Sequence, residues 1–116
     1  MEKIKAGEEV PVFVDRTVSP SYTADVARAT RRLLELEVPA GLYHCVNSGF
    51  ATWADIAGEA ARILERPLRT RALTLATSGL KAPRPLYCAM SNSKLARAGV
   101  AMPDWREALA RYLAEI

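Results

Sequence analysis

The amino-acid sequence predicts an α/β or α+β fold, in which a small mixed sheet packs with about four helices. Two observations support this prediction. Short apolar runs alternate along the chain with longer segments whose apolar residues recur at helical spacing. No internal repeat or low-complexity linker interrupts this alternation, and 116 residues suffice for a modest core. We therefore expect residues 1–116 to form a single domain.

The first third of the chain predicts a strand, a turn and a helix. The valine-rich run Val10–Val14 is typical of a strand, and residues 17–22 are typical of a turn. Thr23 can cap the following helix, and Asp25 in its first turn complements the helix dipole. The helix is expected to stop before the turn residues Pro39–Gly41.

The middle of the chain predicts a strand, a capped helix and another strand. The compact apolar run Leu42–Val46 is interpreted as a buried strand. Thr52 and Asp55 have the spacing of a capping box, with aspartate in place of the usual glutamate. An apolar helical face follows and stops before Pro67, and Leu68–Leu75 predicts a strand. The residues of that face are Trp53, Ile56, Ala57, Ala60, Ile63 and Leu64.

The last third predicts a loop and two helices. Residues 76–87 contain one glycine and two prolines and are the least regular stretch. A short helix is predicted from Ser91 to a glycine cap at Gly99. The final helix is predicted to begin at Asp104, with Glu107 completing a second capping box. The tryptophans on the two long apolar faces, Trp53 and Trp105, are interpreted as core residues.

The charge of the chain is unevenly distributed. The net charge is only +3, yet the stretch from Arg66 to Arg97 carries seven basic residues and no acidic one. Such a stretch favours an anionic partner, and a phosphorylated small ligand is the specific hypothesis. A solvated basic face is the alternative. Nucleic acid is disfavoured because no aromatic interleaving or known binding motif accompanies the charges.

Several other classes of protein are disfavoured. No apolar run approaches the roughly 20 residues that cross a bilayer, and the charged N-terminus does not resemble a signal peptide. Cys45 and Cys88 are interpreted as buried free thiols, which suits a cytoplasmic protein. No spacing of potential ligands indicates a metal site. The lone histidine, His44, is interpreted as a core or edge residue rather than a base.

Four stretches of the chain carry a resemblance to a known family. They are Ser19–Ala27, Gly41–Gly49, Thr52–Ala57 and Arg84–Leu109. In this order and spacing they resemble the dTDP-4-dehydrorhamnose reductases, which are extended short-chain dehydrogenases. The resemblance implies the C-terminal portion of an NAD(P)-binding Rossmann-type reductase, without its N-terminal dinucleotide-binding half. In that family this portion supplies late sheet elements and most of a small lobe that closes over the sugar nucleotide.

The sequence departs from the family's usual pattern at several positions. Arg16 stands where the family usually has glutamine, and Val18 stands where it usually has glycine. Ser91 replaces a common aspartate. After Arg84-Pro85 the family tends to continue Asn-Ser, whereas this chain continues Leu86-Tyr87. These differences bear on which sugar nucleotide is bound more than on the fold.

The residues that would carry out the reduction are not found in this sequence. None of the six glycines belongs to the G-x-x-G-x-x-G pattern that lets a backbone approach a dinucleotide. No tyrosine is followed four residues later by lysine, the family's proton-donating pair. We therefore expect no catalytic residue and no cofactor on this chain alone. NADPH or NADH would serve the complete family enzyme.

The resemblance and the basic stretch together suggest three substrate-binding residues. Arg84 is the first candidate for a diphosphate contact, because a guanidinium matches phosphate oxygens bidentately. Arg16 is the second, since it lies just after a predicted strand. Tyr22, within the first matching stretch, is the third. An ordinary surface arginine is the alternative interpretation of both arginines.

A second hypothesis is a non-enzymatic interaction or regulatory module derived from such a reductase. Elements built to pack against a nucleotide-binding half are expected to expose apolar surface when that half is missing. Such a surface would favour that half, or a second copy of the chain, as its partner.

Overall fold

The computed structural model describes residues 1–116 and contains five helices and five short strands. In chain order these are α1 (Glu2–Lys5), β1 (Glu9–Phe13), β2 (Thr17–Val18), α2 (Thr23–Glu35), β3 (Ala51–Thr52), α3 (Trp53–Ile63), β4 (Arg69–Leu73), β5 (Tyr87–Cys88), α4 (Ser93–Arg97) and α5 (Trp105–Glu115). The mixed α/β class is confirmed, and the short helix α1 is additional to the four that the sequence predicts. None of the helices combines the length and apolarity needed to cross a membrane.

The strands form two small sheets rather than the single mixed sheet that the sequence predicts. β1 and β4 pair in parallel, from Glu9 opposite Arg69 to Phe13 opposite Leu73. In the other sheet β2 lies between β3 and β5, antiparallel to β3 and parallel to β5. The strands predicted near residues 10–14 and 68–75 are therefore confirmed, and their pairing connects distant parts of the chain.

The core consists of three hydrophobic clusters. The largest joins α1, β1, α3 and α5, and its buried members are Ile4, Val12, Ala57, Ala60, Ala61 and Leu113. A second lies between α2 and α4 and contains Ala29, Leu95, Val100 and Met102. The third connects β3 with α3 and α5 through Ala51, Ile56 and Trp105. Helix α5 therefore contributes to two of the three clusters and connects them.

The start of α3 confirms the predicted capping box. The backbone N–H of Asp55 donates to Oγ1 of Thr52 at 3.1 Å, and Oδ2 of Asp55 accepts the backbone N–H of Thr52 at 2.9 Å. Two otherwise unpaired backbone N–H groups are thus satisfied by the side chains of two residues three positions apart in the sequence. This helix start is specified locally.

The prediction of a buried strand over Leu42–Val46 is wrong. No strand is present there, Leu42 is 76 % exposed and His44 is also exposed, whereas Val46 is buried. Side chains of the α4 region bind two carbonyl oxygens of this run. Nζ of Lys94 donates to the Leu42 oxygen at 2.8 Å, and Nδ2 of Asn92 donates to the Val46 oxygen at 3.0 Å. These two side chains supply the hydrogen-bond donors that a neighbouring strand would otherwise provide to the carbonyl oxygens of this run.

The starts of α2 and α4 also differ from the predictions. Tyr22, not Thr23, is the N-cap of α2, and it makes no side-chain cap. Its backbone N–H donates to Oδ1 of Asn47 at 2.8 Å, so a distant residue caps this helix. Helix α4 begins at Ser93 rather than at the predicted Ser91. The side-chain oxygen of Ser91 accepts a hydrogen bond from the backbone N–H of Ser93 at 3.3 Å.

The second predicted capping box, at the start of α5, is only half formed. Oδ1 of Asp104 accepts the backbone N–H of Arg106 at 2.8 Å, so Asp104 is the N-cap. Glu107 does not reach back to it. Both Glu107 carboxylate oxygens instead accept hydrogen bonds from Arg111, one turn further along the helix.

The two tryptophans have different environments. Trp105 is 2 % exposed and belongs to the core, as predicted. Trp53 is 43 % exposed, so its interpretation as a core residue is wrong for this chain. It lies beside Met1, Val10 and Arg16 on an apolar groove of about 390 Å³ between α1, β1 and α3.

Candidate functional site

The two predicted arginines lie close together through the loop that joins β4 to β5. Nε of Arg16 donates to the carbonyl oxygen of Pro85 at 3.4 Å, immediately beside Arg84. The Arg16 guanidinium carbon lies 5.7 Å from the centroid of the Phe13 ring. Arg84 is exposed, and neither Arg16 nor Arg84 forms an ion pair. Neither cation is therefore neutralised by a carboxylate, and Arg84 is exposed while Arg16 is half-buried.

A cavity of about 440 Å³ begins just beyond this loop. We call it the aromatic cleft, and its lining residues are Gly49, Phe50, Tyr87, Ala89, Met90, Ser91 and Asn92. Two aromatic side chains on it are unusually exposed, Phe50 at 62 % and Tyr87 at 68 %. Its size is within the range that small-molecule sites occupy, about 300–1,000 Å³.

Tyr22, the third predicted residue, lies on a different cavity. Its ring lines a pocket of about 200 Å³ against α5 and meets the Tyr112 ring edge to face, with 5.9 Å between centroids. The Tyr22 hydroxyl donates to the Glu115 carboxylate, and this hydrogen bond raises the pKa of Tyr22. The structure therefore brings Arg16 close to Arg84 and places Tyr22 apart from the cleft.

The most buried polar cluster was not recognised in the sequence. Asp25 and Asn47 are both completely buried. Oδ2 of Asp25 accepts hydrogen bonds from Nδ2 of Asn47 at 2.8 Å and from Nη2 of Arg111 at 2.6 Å, while Arg28 pairs with Oδ1. Burial alone would raise the pKa of Asp25, but the hydrogen bonds from Arg111 and Asn47 outweigh it and lower that pKa.

This buried cluster supports the loops beside the cleft. Asn47 also donates to the Pro103 oxygen at 3.1 Å, and the backbone N–H of Ser48 donates to the same oxygen at 2.9 Å. The segment that leads to Gly49 and Phe50 is thereby attached to the start of α5. The sequence places Asn47 next to a turn and Asp25 in the first turn of a helix. Neither position indicates that the two side chains are hydrogen-bonded to each other.

A tyrosine and a lysine do meet in space, although no such pair is spaced along the sequence. Nζ of Lys94 lies 4.5 Å from the centroid of the Tyr43 ring. The Tyr43 hydroxyl donates to the Pro39 oxygen at 2.7 Å, and Lys94 donates to the Leu42 oxygen. Both polar groups donate to backbone carbonyl oxygens, so this pair stabilises the loop before Val46.

Comparison with known proteins establishes the family. Residues 1–116 match the family model described as the RmlD substrate binding domain. The chain belongs to this family. Its predicted resemblance to the dTDP-4-dehydrorhamnose reductases is thereby confirmed.

Two curated relatives and one solved structure support this assignment. The spore coat polysaccharide biosynthesis protein SpsK of Bacillus subtilis is 39% identical over 93% of this chain and 38% of its own length. A dTDP-4-dehydrorhamnose reductase of Mycolicibacterium smegmatis is 32% identical over 100% of this chain and 36% of its own. The crystal structure of dTDP-4-dehydrorhamnose reductase from Bacillus anthracis in complex with NADP superposes with a TM-score of 0.88, at 28% identity over 99% of this chain and 41% of that chain.

This RmlD-type domain therefore spans about two fifths of the length of the proteins it matches. It corresponds to the C-terminal portion of Rossmann-type reductases, as the sequence predicts. No group of three or more histidine, cysteine, aspartate or glutamate side chains is placed to hold a metal ion. Both cysteines are free and half-buried, and burial raises the pKa of Cys45.

Proposed function

We propose that this chain is the sugar-nucleotide-binding portion of a dTDP-4-dehydrorhamnose reductase-like enzyme, and that Arg84 and Arg16 bind the diphosphate of the nucleotide. The observation that carries the proposal is that Arg16, which forms no ion pair, donates to the carbonyl oxygen of Pro85, the residue that follows the exposed Arg84. Family membership and the acid-free basic stretch point in the same direction. Arginine is suited to this role because its planar donors match two phosphate oxygens at once.

The ligand would be a dTDP-sugar whose sugar carries a keto group that the complete enzyme reduces. Hydride from NADPH or NADH would be delivered outside this chain, which contains neither a glycine-rich dinucleotide turn nor a Tyr-x-x-x-Lys pair. This chain's part in the reaction is to bind and orient the nucleotide. Tyr22 would contribute only through its ring, because its hydroxyl is engaged with Glu115.

A titration of the 116-residue chain with dTDP tests this function. We expect ¹⁵N–¹H correlation peaks of Arg16 and of residues 80–95 to shift as dTDP is added. Replacing Arg84 by alanine is expected to weaken dTDP binding about tenfold or more, the effect of losing a charged hydrogen bond. Raising the salt concentration should also weaken binding, since Arg84 is exposed and Arg16 only half-buried.

The matched control is Arg66→Ala, which removes one exposed cation from the same basic stretch. Its dTDP affinity should stay within about twofold of the original chain, which separates a specific contact from the effect of net charge. A spectrum that dTDP leaves unchanged, or equal dTDP affinities for Arg84→Ala and Arg66→Ala, would contradict the assignment of Arg84.

The partner and the location of the chain stay predictions. Exposed apolar side chains are present, and the groove of about 390 Å³ beside Trp53 is the surface on which we would expect a second part of the enzyme or a second copy to pack. None of the relatives named above is described as a regulatory subunit, so nothing favours the interaction module over the nucleotide-binding function. The cytoplasmic location expected from the sequence is likewise untested.

A further inference from the structure

Ser48 has hydrogen-bond partners for its backbone N–H, its backbone oxygen and its hydroxyl. The backbone N–H donates to the Pro103 oxygen at 2.9 Å, and the backbone oxygen accepts the Trp105 N–H at 3.0 Å. The hydroxyl donates to the Met102 oxygen at 2.9 Å and accepts from Nδ2 of Asn92 at 3.0 Å. Because every donor and acceptor is paired, both the backbone and the side chain of Ser48 are held in one conformation.

The hydroxyl of Ser48 joins the two segments that form the aromatic cleft. The lining residues of the cleft come from residues 49–50 and from residues 87–92. Ser48 directly precedes the first segment, and Asn92 is the last lining residue of the second. The hydrogen bond from Asn92 to Ser48 therefore connects one side of the cleft to the other.

The three-stranded sheet explains why the two segments are apart. β3 and β5 flank β2, and neighbouring strands lie about 4.8 Å apart, so the chains of β3 and β5 are separated by about 10 Å. Because β3 is antiparallel and β5 parallel to β2, the residues before β3 and after β5 extend past the same end of β2. The sheet thus fixes the spacing of the segments at one end, and the bond between Asn92 and Ser48 fixes it at the other.

A nucleotide bound by Arg84 would lie within reach of these segments. Arg84 precedes Tyr87, a lining residue of the cleft, by three residues, which span at most about 10 Å in an extended chain. The contacts available to such a nucleotide therefore depend on the spacing of the segments. A binding site whose supporting residues leave it about 1 Å too loose loses function even when every contact residue is present.

We infer that Ser48 is a positioning residue of the nucleotide site, which acts through its hydrogen bond with Asn92 to fix the spacing of the segments beside the aromatic cleft. The inference rests on the proposed function and adds to it a residue that preorganises the site. Ser48 is not among the lining residues of the cleft, so its effect on affinity is exerted through Asn92. A site held in its binding geometry spends less entropy when the ligand binds.

The test compares the dTDP affinities of single and double variants of the 116-residue chain. Ser48→Ala removes the bridging hydroxyl and should weaken dTDP binding about threefold to tenfold, the effect of one lost hydrogen bond. Asn92→Ala breaks the same bridge from the other segment and should weaken binding at least as much. In the Asn92→Ala background, adding Ser48→Ala should change the affinity less than about twofold, because the bridge is already absent.

Two further variants separate positioning from a general loss of stability. Ser48→Thr keeps the hydroxyl and should bind dTDP within about twofold of the original chain. Ser78→Ala is the matched control, since Ser78 is also half-buried and its hydroxyl donates to the Leu75 oxygen at 2.9 Å, away from the cleft. Its dTDP affinity should likewise stay within about twofold. Dispersed ¹⁵N–¹H spectra identify the folded variants, and reduced stability alone leaves the affinity of a folded chain unchanged.

The outcomes separate the positioning role from the function. If dTDP binds and Ser48→Ala keeps the original affinity, the positioning role is overturned and the proposed function stands. A Ser48→Ala loss that is equally large in the Asn92→Ala background would also overturn it, because Ser48 would then act through another contact. If Ser48→Ala does not fold, Asn92→Ala decides, and an unchanged affinity overturns the inference whereas a weakened one supports it. If the original chain does not bind dTDP, the proposed function and the positioning role are both overturned.

Discussion

Arg111 donates from its Nη2 atom to the buried carboxylate of Asp25 at 2.6 Å, although the two residues are 86 positions apart in the chain. Asp25 lies in the first turn of α2 and Arg111 in the middle of α5. The same carboxylate oxygen binds Asn47, so one buried group joins two helices and the loop before the aromatic cleft. A buried charge is stable only when it is paired and hydrogen-bonded, and here both conditions are met.

Removing the guanidinium of Arg111 is expected to destabilise the fold. Arg111→Ala leaves Asp25 buried with Arg28 and Asn47 alone, which should cost about 1.5–3 kcal/mol of unfolding free energy. Arg31→Ala is the matched control, because Arg31 pairs with Glu35 on the surface and is worth only about 0.3–0.5 kcal/mol. Urea unfolding followed by circular dichroism measures both. Equal midpoints for the two variants would show that the buried pair is not a major source of stability.

The Asp25 carboxylate is expected to make stability depend on acid pH. Its pKa is lowered in the folded chain, so the folded state releases this proton more readily than the unfolded state, whose pKa is about 3.9. The stabilisation is present in full above that unfolded pKa and is lost as the pH falls through the lower, folded pKa. We therefore expect the free energy of unfolding to be nearly constant from about pH 7 to pH 5 and to fall below about pH 4.

The variant Asp25→Asn isolates this contribution. It should be less stable than the original chain at pH 7 and should lose less further stability between about pH 5 and pH 3. Asp55, whose pKa is lowered by hydrogen bonds from Thr52, keeps some acid sensitivity in both proteins. Parallel pH profiles for the two proteins, measured by urea unfolding, would rule out Asp25 as the acid-sensitive group.

Gly49 is required at the edge of the aromatic cleft by both its conformation and its surroundings. Its φ is +91°, and an added Cβ would lie 2.9 Å from Cδ1 of Trp105 and 3.3 Å from Oδ2 of Asp104. Gly49→Ala should therefore lower the free energy of unfolding by about 1–3 kcal/mol. Gly58→Ala is the control, since Gly58 lies inside α3 with open space around it, and it should raise stability by about 0.5–1 kcal/mol. A thermal melt in which both variants shift in the same direction would contradict this explanation.

The capping box at the start of α3 is expected to contribute measurably to stability. Thr52→Ala removes the acceptor for the Asp55 backbone N–H and should cost about 0.5–2 kcal/mol. Thr52→Ser keeps the hydroxyl and should cost much less. The free energies of unfolding of the two variants are compared by urea unfolding. If the alanine variant is as stable as the serine variant, water satisfies the Asp55 backbone N–H as well as the Thr52 hydroxyl does.

The features that were predicted correctly depend on residues close together in the sequence. The capping box of Thr52 and Asp55, the apolar face of α3 apart from Trp53, and the strands around β1 and β4 all follow from local pattern. The family can also be inferred from the sequence, because its motifs are short, local stretches that occur in a fixed order. Residue type alone points to Arg16 and Arg84, whereas the hydrogen bond from Arg16 to Pro85, the residue after Arg84, is a property of the folded chain.

The incorrect predictions share a cause. Leu42–Val46 has the composition of a strand, but Lys94 and Asn92 bind its carbonyl oxygens from another part of the chain. Glu107 has the spacing of a capping residue, yet its carboxylate accepts hydrogen bonds from Arg111 in the next turn instead. In each case a polar group has two possible partners, and the local sequence pattern indicates only one of them.

The sequence alone thus determines the fold class, the family and the capped start of α3, because these depend on local spacing and composition. The buried cluster around Asp25, the exposure of Trp53 and the shape of the aromatic cleft required the tertiary structure. Each of these depends on which distant groups meet, and hydrogen-bond partners and burial are properties of the folded chain rather than of any single segment.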